Sequence, residues 1–390
     1  MKVAAGVMGG DALLAAHQQG YRVVVGSCPT VGVAGGFTQG GGHSLLSGLY
    51  GLSADNVLEW EVITARGERV IASPTRNSDL FWALGGGGGG TFGVVVSMTV
   101  RLFDDGPVGR ASLFFNAAST NGSDGFSQAV DVFQSHLQAI VDYHGTVVTY
   151  TLDKDTLYMF VATAPNRTAA ELEDAFAPML SALDGLGLSR ELLGFSTAVA
   201  DNYHDHYMAT LGPVLGSASS AQITSGRFVS RDDMANNATA VGDAMRTATG
   251  SGPLNLLCTA LSISRVSVAP VARSAVQPHW RNALVSCVAS SPWDFSLPWQ
   301  TMLQRQDDLT NIIDPALKAA TPGSGAYLNE ANFEEPDWQN EFYGSNYQRL
   351  KRIKRRYDPR GLFYGVTAVG SEAWVADRDG RLCRTWNDPR

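Results

Sequence analysis

The chain has 390 residues, enough for two or three domains at about 150 residues each. It is 44% hydrophobic and 17% charged with no low-complexity tract, the balance of an ordinary globular protein. A net charge of −8 and the lack of a basic stripe exclude a nucleic-acid backbone as partner, and no apolar run reaches the roughly 18 residues of a membrane-spanning helix.

In chain order, Asp11 to Gln19 reads as a short apolar helix and Tyr21 to Val25 as a buried strand. Residues 28–42 read as a loop almost free of bulky side chains, followed by a helix from His43 to Tyr50. Val57 to Thr64 and Glu68 to Ala72 read as two strands joined at Arg66-Gly67. Asp79 to Leu84 is a helical turn running into six consecutive glycines, Gly85 to Gly90, and Phe92 to Leu102 is strongly β-prone.

The character changes at Asp104-Asp-Gly-Pro107. Ala111 to Phe115, Thr146 to Leu152 and Thr156 to Ala162 alternate as strands of a half-exposed antiparallel sheet. Ser123 to Tyr143 and Thr168 to Leu183 have helical periodicity, and Thr168 with Glu171 matches a capping box. Tyr203-His-Asp-His-Tyr207 pairs two histidines without further ligands, so a polar loop is expected there and no metal site. From Trp338 onward an aromatic-rich helix, Phe342 to Arg356, is stopped by Asp358-Pro359 and Gly361; its basic run from Arg349 reads as a solvated face. The fold class expected is α+β, divided into 1–107, 108–337 with helices covering an antiparallel sheet, and a closing segment 338–390 that returns to the first unit.

Cys28, Cys258, Cys287 and Cys383 show no CxxC spacing, which argues against zinc. Asn121, Asn166 and Asn237 head glycosylation sequons, while Met1-Lys-Val-Ala-Ala-Gly lacks the apolar core of a signal peptide; composition leaves compartment and oligomeric state open.

Chemistry concentrates in the segment from Gly26 to Ser44, GSCPTVGVAGGFTQGGGHS. Glycine lets a ligand approach the main chain without meeting a Cβ, and such a loop running into a helix N-terminus suits a pyrophosphate. No lysine follows the glycines as a P-loop requires, and no clean GxGxxG follows a strand as in a dinucleotide-binding Rossmann unit. Two dense clusters, 26–42 and 85–93, favour a bound ligand over a tight buried turn.

This segment, with YGLSADNV from Tyr50 and DLFWALGGGGGGTFGVV from Asp79, resembles the FAD-binding (PCMH-type) domain of the vanillyl-alcohol-oxidase superfamily. The similarity is greatest to fungal berberine-bridge-enzyme-like, isoamyl-alcohol-oxidase-type members. YLNEAN from Tyr327, FYGSNYQRL from Phe342 and Tyr357-Asp-Pro359 match the family's closing segment; the middle matches mainly at Pro278-His-Trp-Arg281. The resemblance implies FAD as cofactor and oxidation of a C–H bond in an alcohol, sugar or secondary metabolite, with dioxygen as acceptor. In this family a first lobe with a Gly-His flavin link comes before the matched region. The expectation is therefore an incomplete FAD domain in a chain whose full-length relatives are secreted, and the alternative is a silent remnant that does not retain FAD.

By the same resemblance Cys28 stands where relatives link sulfur to the flavin ring; the other reading is a small buried hydrophobe. Thr30, Val31, Gly32, Gly35, Gly36 and Gly40, Gly41, Gly42 would lie against cofactor, Gly93 and Val95 would border its adenine or ribityl portion, and Asn346 matches an asparagine near the flavin. His43 either meets phosphate or starts a helix. Glu330 stands where many plant relatives have a tyrosine facing the flavin and is either a catalytic base or a surface carboxylate; Tyr327 is its catalytic neighbour. Strand alternation would put Tyr327 and Asn329 on the face opposite Glu330. Leu284-Val-Ser-Cys-Val288 has no acid where some relatives carry one, so the base is left open between these groups.

Overall fold

The sequence pattern of two β-branched runs around Arg66-Gly67 folds as a hairpin, β3 (Val57–Ile63) against β4 (Arg69–Ala72), with Gly67 at φ 78° in the turn. The computed structural model of the chain describes residues 1–211, 221–264 and 266–385. β1 (Lys2–Ala4) and β5 (Val94–Val100) complete a four-stranded antiparallel sheet in the order β1-β5-β3-β4. The expected strand at residues 21–25 is shorter: only β2 (Tyr21–Arg22) pairs, with β6 (Phe103–Asp104), while Val23, Val24 and Val25 are buried without a ladder.

The second half is a seven-stranded antiparallel sheet. Its strands are β7 (Val108–Asn116), β8 (Val147–Leu152), β9 (Thr156–Pro165), β10 (Ser196–Ala200), β11 (Gln222–Ser230), β12 (Asn255–Ala260) and β13 (Ala283–Pro292), ordered β10-β7-β9-β8-β12-β13-β11. Period-two alternation sends Ala111, Leu113, Phe115, Tyr150, Leu157 and Met159 into one apolar core. Over that face lie the helices Gly122–Asp142, Ala169–Asp184 and Ala238–Gly250. The first buries Phe126, Ala129, Val130, Phe133, Leu137 and Ile140, an i, i+3, i+4 stripe, and the second carries the expected capping box, with Glu171 N–H donating to Thr168 Oγ1 at 3.2 Å. The opposite face of the sheet looks toward the first half.

The tail departs from its expected single helix. Gly344, at φ 54°, breaks it into Trp338–Tyr343 and Tyr347–Tyr357. Its basic run is largely the solvated face expected, with Arg349, Arg352, Arg355 and Arg356 exposed, but Lys354 departs from it: it is buried and donates to Thr91 O, Phe363 O and Asp358 Oδ2, while Arg349 stacks 3.8 Å over Trp82 and Arg356 reaches Asp79 at 2.8 Å. These bonds tie the tail to the first half. Residues 203–210 form a helix capped by Asn202, where a loop was expected. Among the described residues no helix is long and apolar enough to cross a membrane.

Candidate functional site

Cys28 sits in a turn fixed from behind. Val31 N–H donates to Cys28 O at 3.2 Å, and Val31 O and Pro29 O accept from Gly9 and Gly10, the first two residues of the helix Gly9–His17, each at 2.8 Å. From the second half, Tyr207 Oη donates to Ser27 O at 2.7 Å and to Gly26 O at 3.0 Å. The turn therefore holds its sulfur toward a hollow of about 490 Å³.

The hollow's floor is main chain. An added Cβ at Gly35 would meet nothing within 4 Å among the described residues, and at Gly32 and Gly36 only single atoms at 3.8 Å. That bare surface is what a flat ring needs in order to lie against backbone. The other glycines of the segment are spaces filled by protein: a Cβ at Gly40 would lie 2.4 Å from Asn329 Nδ2, and one at Gly42 2.9 Å from the Phe37 ring. The second cluster is likewise a buttress. Gly86 and Gly88 donate to Gln39 O at 2.9 and 3.0 Å, and a Cβ on Gly89 would lie 2.9 Å from Gly36 Cα.

His43 does not begin a helix. The helix there is the four-residue Ser47–Tyr50, and His43 instead projects into the hollow, its ring packed against Tyr327 and Trp280 at centroid distances of 5.5 and 5.8 Å. His43 Nε2 and Glu330 Oε1 are 3.0 Å apart. Burial by itself depresses the imidazole, but the Glu330 charge and hydrogen bond outweigh it, and His43 ends above its ordinary value. Burial, and then the charge of Glu330, hold the Cys28 thiol up, so it is protonated at neutral pH. Tyr327 is raised further, by burial first and Glu330 second, and keeps its proton throughout the neutral range.

The alternation expected for residues 327–330 fails because Leu328–Glu330 is a 3-10 turn. Tyr327, Asn329 and Glu330 all line the hollow. Asn329 Nδ2 bridges to Gly36 O at 2.9 Å and to Tyr327 Oη at 2.7 Å, fastening this turn to the glycine floor. Overhead are Thr149, Phe160, Leu257 and Thr259 from β8, β9 and β12.

Of the residues singled out in the sequence, Cys28, Val31, Gly32, Gly35, Gly36, His43, Tyr327 and Glu330 share this hollow. Thr30, Gly40, Gly41 and Gly42 are its supporting chain and not its lining. Gly93 packs on Val62 and Ile63, Val95 is buried in β5, and Asn346 donates to Ala275 O and Val276 O at the rim of another cavity. That cavity is larger, about 760 Å³, but none of its lining residues is shared with the hollow and it has no acid–base pair or cysteine. Pro278-His-Trp-Arg281 has a supporting role: Arg281 forks onto buried Asp55 at 2.7 and 2.6 Å, joining the middle of the chain to the glycine-rich half.

Sequence reasoning missed three features. Cys258 and Cys287, opposite each other on β12 and β13, form a disulfide; they are 29 residues apart with no motif to signal it. Gly226 on β11 is a close-approach position beneath Glu330. His17, His204 and Asp205 have ligand atoms within 4.8 Å of one another, with the two imidazoles stacked at a centroid distance of 4.7 Å. His206, the other histidine of the pair, is buried against Thr163 Oγ1 at 2.9 Å.

Two family models match: "FAD binding domain" over residues 1–73 and "Berberine and berberine like" over residues 326–369. A FAD-linked oxidoreductase of Neocamarosporium betae is 42% identical over 394 residues, covering 98% of this chain and 66% of that protein. The crystal structure of the VAO-type flavoprotein MtVAO615 from Myceliophthora thermophila C1 superposes with TM-score 0.92 at 39% identity, over 98% of this chain and 69% of that one. MtVAO713 from the same organism gives 0.88 at 25% identity, with the same coverages. The chain spans just under two thirds of the length of the curated relatives it matches. It belongs to the VAO-type, berberine-bridge-enzyme-like family of FAD-binding proteins.

Proposed function

We propose that the chain serves an FAD-dependent oxidoreductase that oxidises a C–H bond bearing oxygen or nitrogen in an alcohol, sugar or secondary metabolite. Residues 1–107 and 338–390 would hold the cofactor and 108–337 the substrate. The observation that carries this reading is the convergence, in one hollow, of the Cys28 sulfur, a bare glycine floor and the His43–Glu330 pair. When bound, FAD supplies a two-electron acceptor for hydride, reoxidised by dioxygen.

The residues fit such a group. Gly32, Gly35 and Gly36 offer main chain without side chains, with Val31 at the edge, and Cys28, which lines the same hollow, would form the thioether. Gly40 packs behind them against Asn329 and Gly36 O. Glu330, with its side chain 32% exposed, is the group that takes the substrate proton, and His43, donating from Nε2, orients it. The protonated Tyr327 hydroxyl, held by Asn329, positions the substrate oxygen. Phe160 and Leu257 exclude water from above.

The test is the visible spectrum of protein expressed with excess riboflavin. Flavin absorbance that stays with acid-precipitated wild type, but is released from Cys28→Ala, supports the reading. Protein that takes up no flavin overturns it in favour of a remnant, and covalent flavin in the variant removes Cys28 from its role.

A further inference from the structure

The sheet face above the hollow continues outward, and what it presents there is a cation. On β7 the residues alternating with the buried Ala111, Leu113 and Phe115 are Arg110, Ser112 and Phe114. Arg110 and Ser112, with Tyr158, Phe160, Ser196 and Thr210, line a second cavity of about 510 Å³. Phe160 belongs to the walls of both this cavity and the Cys28 hollow, so the two adjoin across one ring. Aromatic rings pave the face: Phe160 lies 6.0 Å from Tyr158, and Tyr158 lies 6.1 Å from Phe114.

Arg110 is half-buried, yet among the described residues its guanidinium has no hydrogen bond or ion pair. Other sheltered arginines do: Arg22 donates to Tyr50 and Asn166, Arg227 to Glu341 and Thr321, and Arg231 to Asp142. A guanidinium taken partly out of water without an acceptor is costly, and five N–H groups in a fixed fork suit a carboxylate. Among the described residues that line the cavity, Arg110 is the cation. Burial first, and the Arg110 charge second, push His206 down to about 3, so that imidazole is neutral. The paired hydroxyls of Ser112 and Ser196, 2.9 Å apart, add neutral donors beside Arg110.

We infer that Arg110 is a specificity-determining residue that anchors a carboxylate at the far end of the substrate, whose body passes over Phe160 with its reacting end beside Cys28. This deepens the oxidoreductase reading and rests on it for the location of the reacting end. The substrate class it selects is an elongated molecule with a flat apolar body and a terminal carboxylate.

The probe is 4-phenylbutyrate, with its methyl ester as the uncharged counterpart, titrated calorimetrically into wild type, Arg110→Gln and Arg110→Lys, flavin content being read by absorbance on the same samples. Wild type should bind the acid about tenfold or more tighter than the ester, the increment of a charge-assisted hydrogen bond. Arg110→Gln should bring the two within about twofold, and Arg110→Lys should keep part of the preference. Equal binding of acid and ester by wild type overturns the proposal even if no variant folds, and so does a preference that survives in folded Arg110→Gln. A clear acid preference in protein that never binds flavin sinks the oxidoreductase reading and leaves the anion site standing. Flavin bound without acid preference does the reverse.

Discussion

His43 and Glu330 are 287 residues apart in sequence and 3.0 Å apart in space, and their contact joins the end of the glycine segment to the closing segment of the chain. Two opposing effects act on the imidazole: burial lowers its proton affinity, and the carboxylate raises it by more. Glu330→Gln removes the second and leaves the first. The His43 midpoint, followed by NMR, should then fall from above the ordinary value of 6.5 to below it. Because the folded-state value is raised, the contact adds stability below pH 6.5 and loses it as pH climbs through the raised midpoint; the variant should lose this acid-side contribution. If Glu330 is also the substrate base, flavin reduction in the variant slows about 10²- to 10⁴-fold.

Cys28 and Cys383 are the free thiols among the described residues, one sheltered and one exposed. Burial and the nearby Glu330 charge keep Cys28 protonated at neutral pH, and the thiolate is the form that alkylates. In flavin-free protein, iodoacetamide at pH 7 should modify Cys383 well before Cys28, and the Cys28 rate should rise only in more alkaline buffer. Glu330→Gln should quicken Cys28 by removing the charge that opposes its ionisation. Peptide mass spectrometry reads both rates; equal labelling at pH 7 would contradict the placement of the sulfur.

What could be read in advance was local. The hairpin at Arg66-Gly67, the Thr168–Glu171 capping box and the alternating strands each depend on neighbours within a few residues, and all stand in the structure. The segment around Cys28 was legible as a cofactor loop because so many glycines in one stretch have few other uses. Which glycines face the hollow was not legible, because Gly36 and Gly40 differ largely in how closely Asn329, almost three hundred residues later, packs on them. A shorter separation, still well beyond local range, hid the role of Gly86 and Gly88, whose amides donate to Gln39 O. Alternation misplaced Tyr327 and Asn329 relative to Glu330 because period two holds only in a strand, and nothing local announces the 3-10 turn at Leu328.

Gly226 tests whether that turn is held from below. It lies in β11, and a Cβ there would stand 2.5 Å from Glu330 O and 3.2 Å from Glu330 C, backbone atoms with no side-chain freedom to yield. Gly226→Ala should therefore destabilise the protein by about 1–3 kcal/mol and lift Glu330 away from His43. Its signature is a lower Tm together with a drop in the His43 midpoint toward that of Glu330→Gln. Gly250→Ala, where the added methyl meets nothing within 4 Å among the described residues, is the control that should change neither. A Gly226→Ala protein with an unaltered His43 titration would show that the turn is positioned from the glycine floor alone.

The disulfide makes a separate demand. Cys258 and Cys287 are a directly opposed pair on β12 and β13, both almost fully buried beneath the helices, so a reductant reaches them only when the sheet opens. Denatured, unreduced, flavin-free protein should titrate two thiols, Cys28 and Cys383. Cys258→Ala should raise the number to three by releasing Cys287. Closing a loop of 29 residues restricts the unfolded chain, a contribution of about 3.6 kcal/mol on the chain-entropy account. Replacing both cysteines by alanine leaves no polar group buried and should lower stability by about that amount, read from denaturant midpoints. Four titrating thiols in protein folded under oxidising conditions would mean that β12 and β13 do not meet in the register that puts these two sulfurs together.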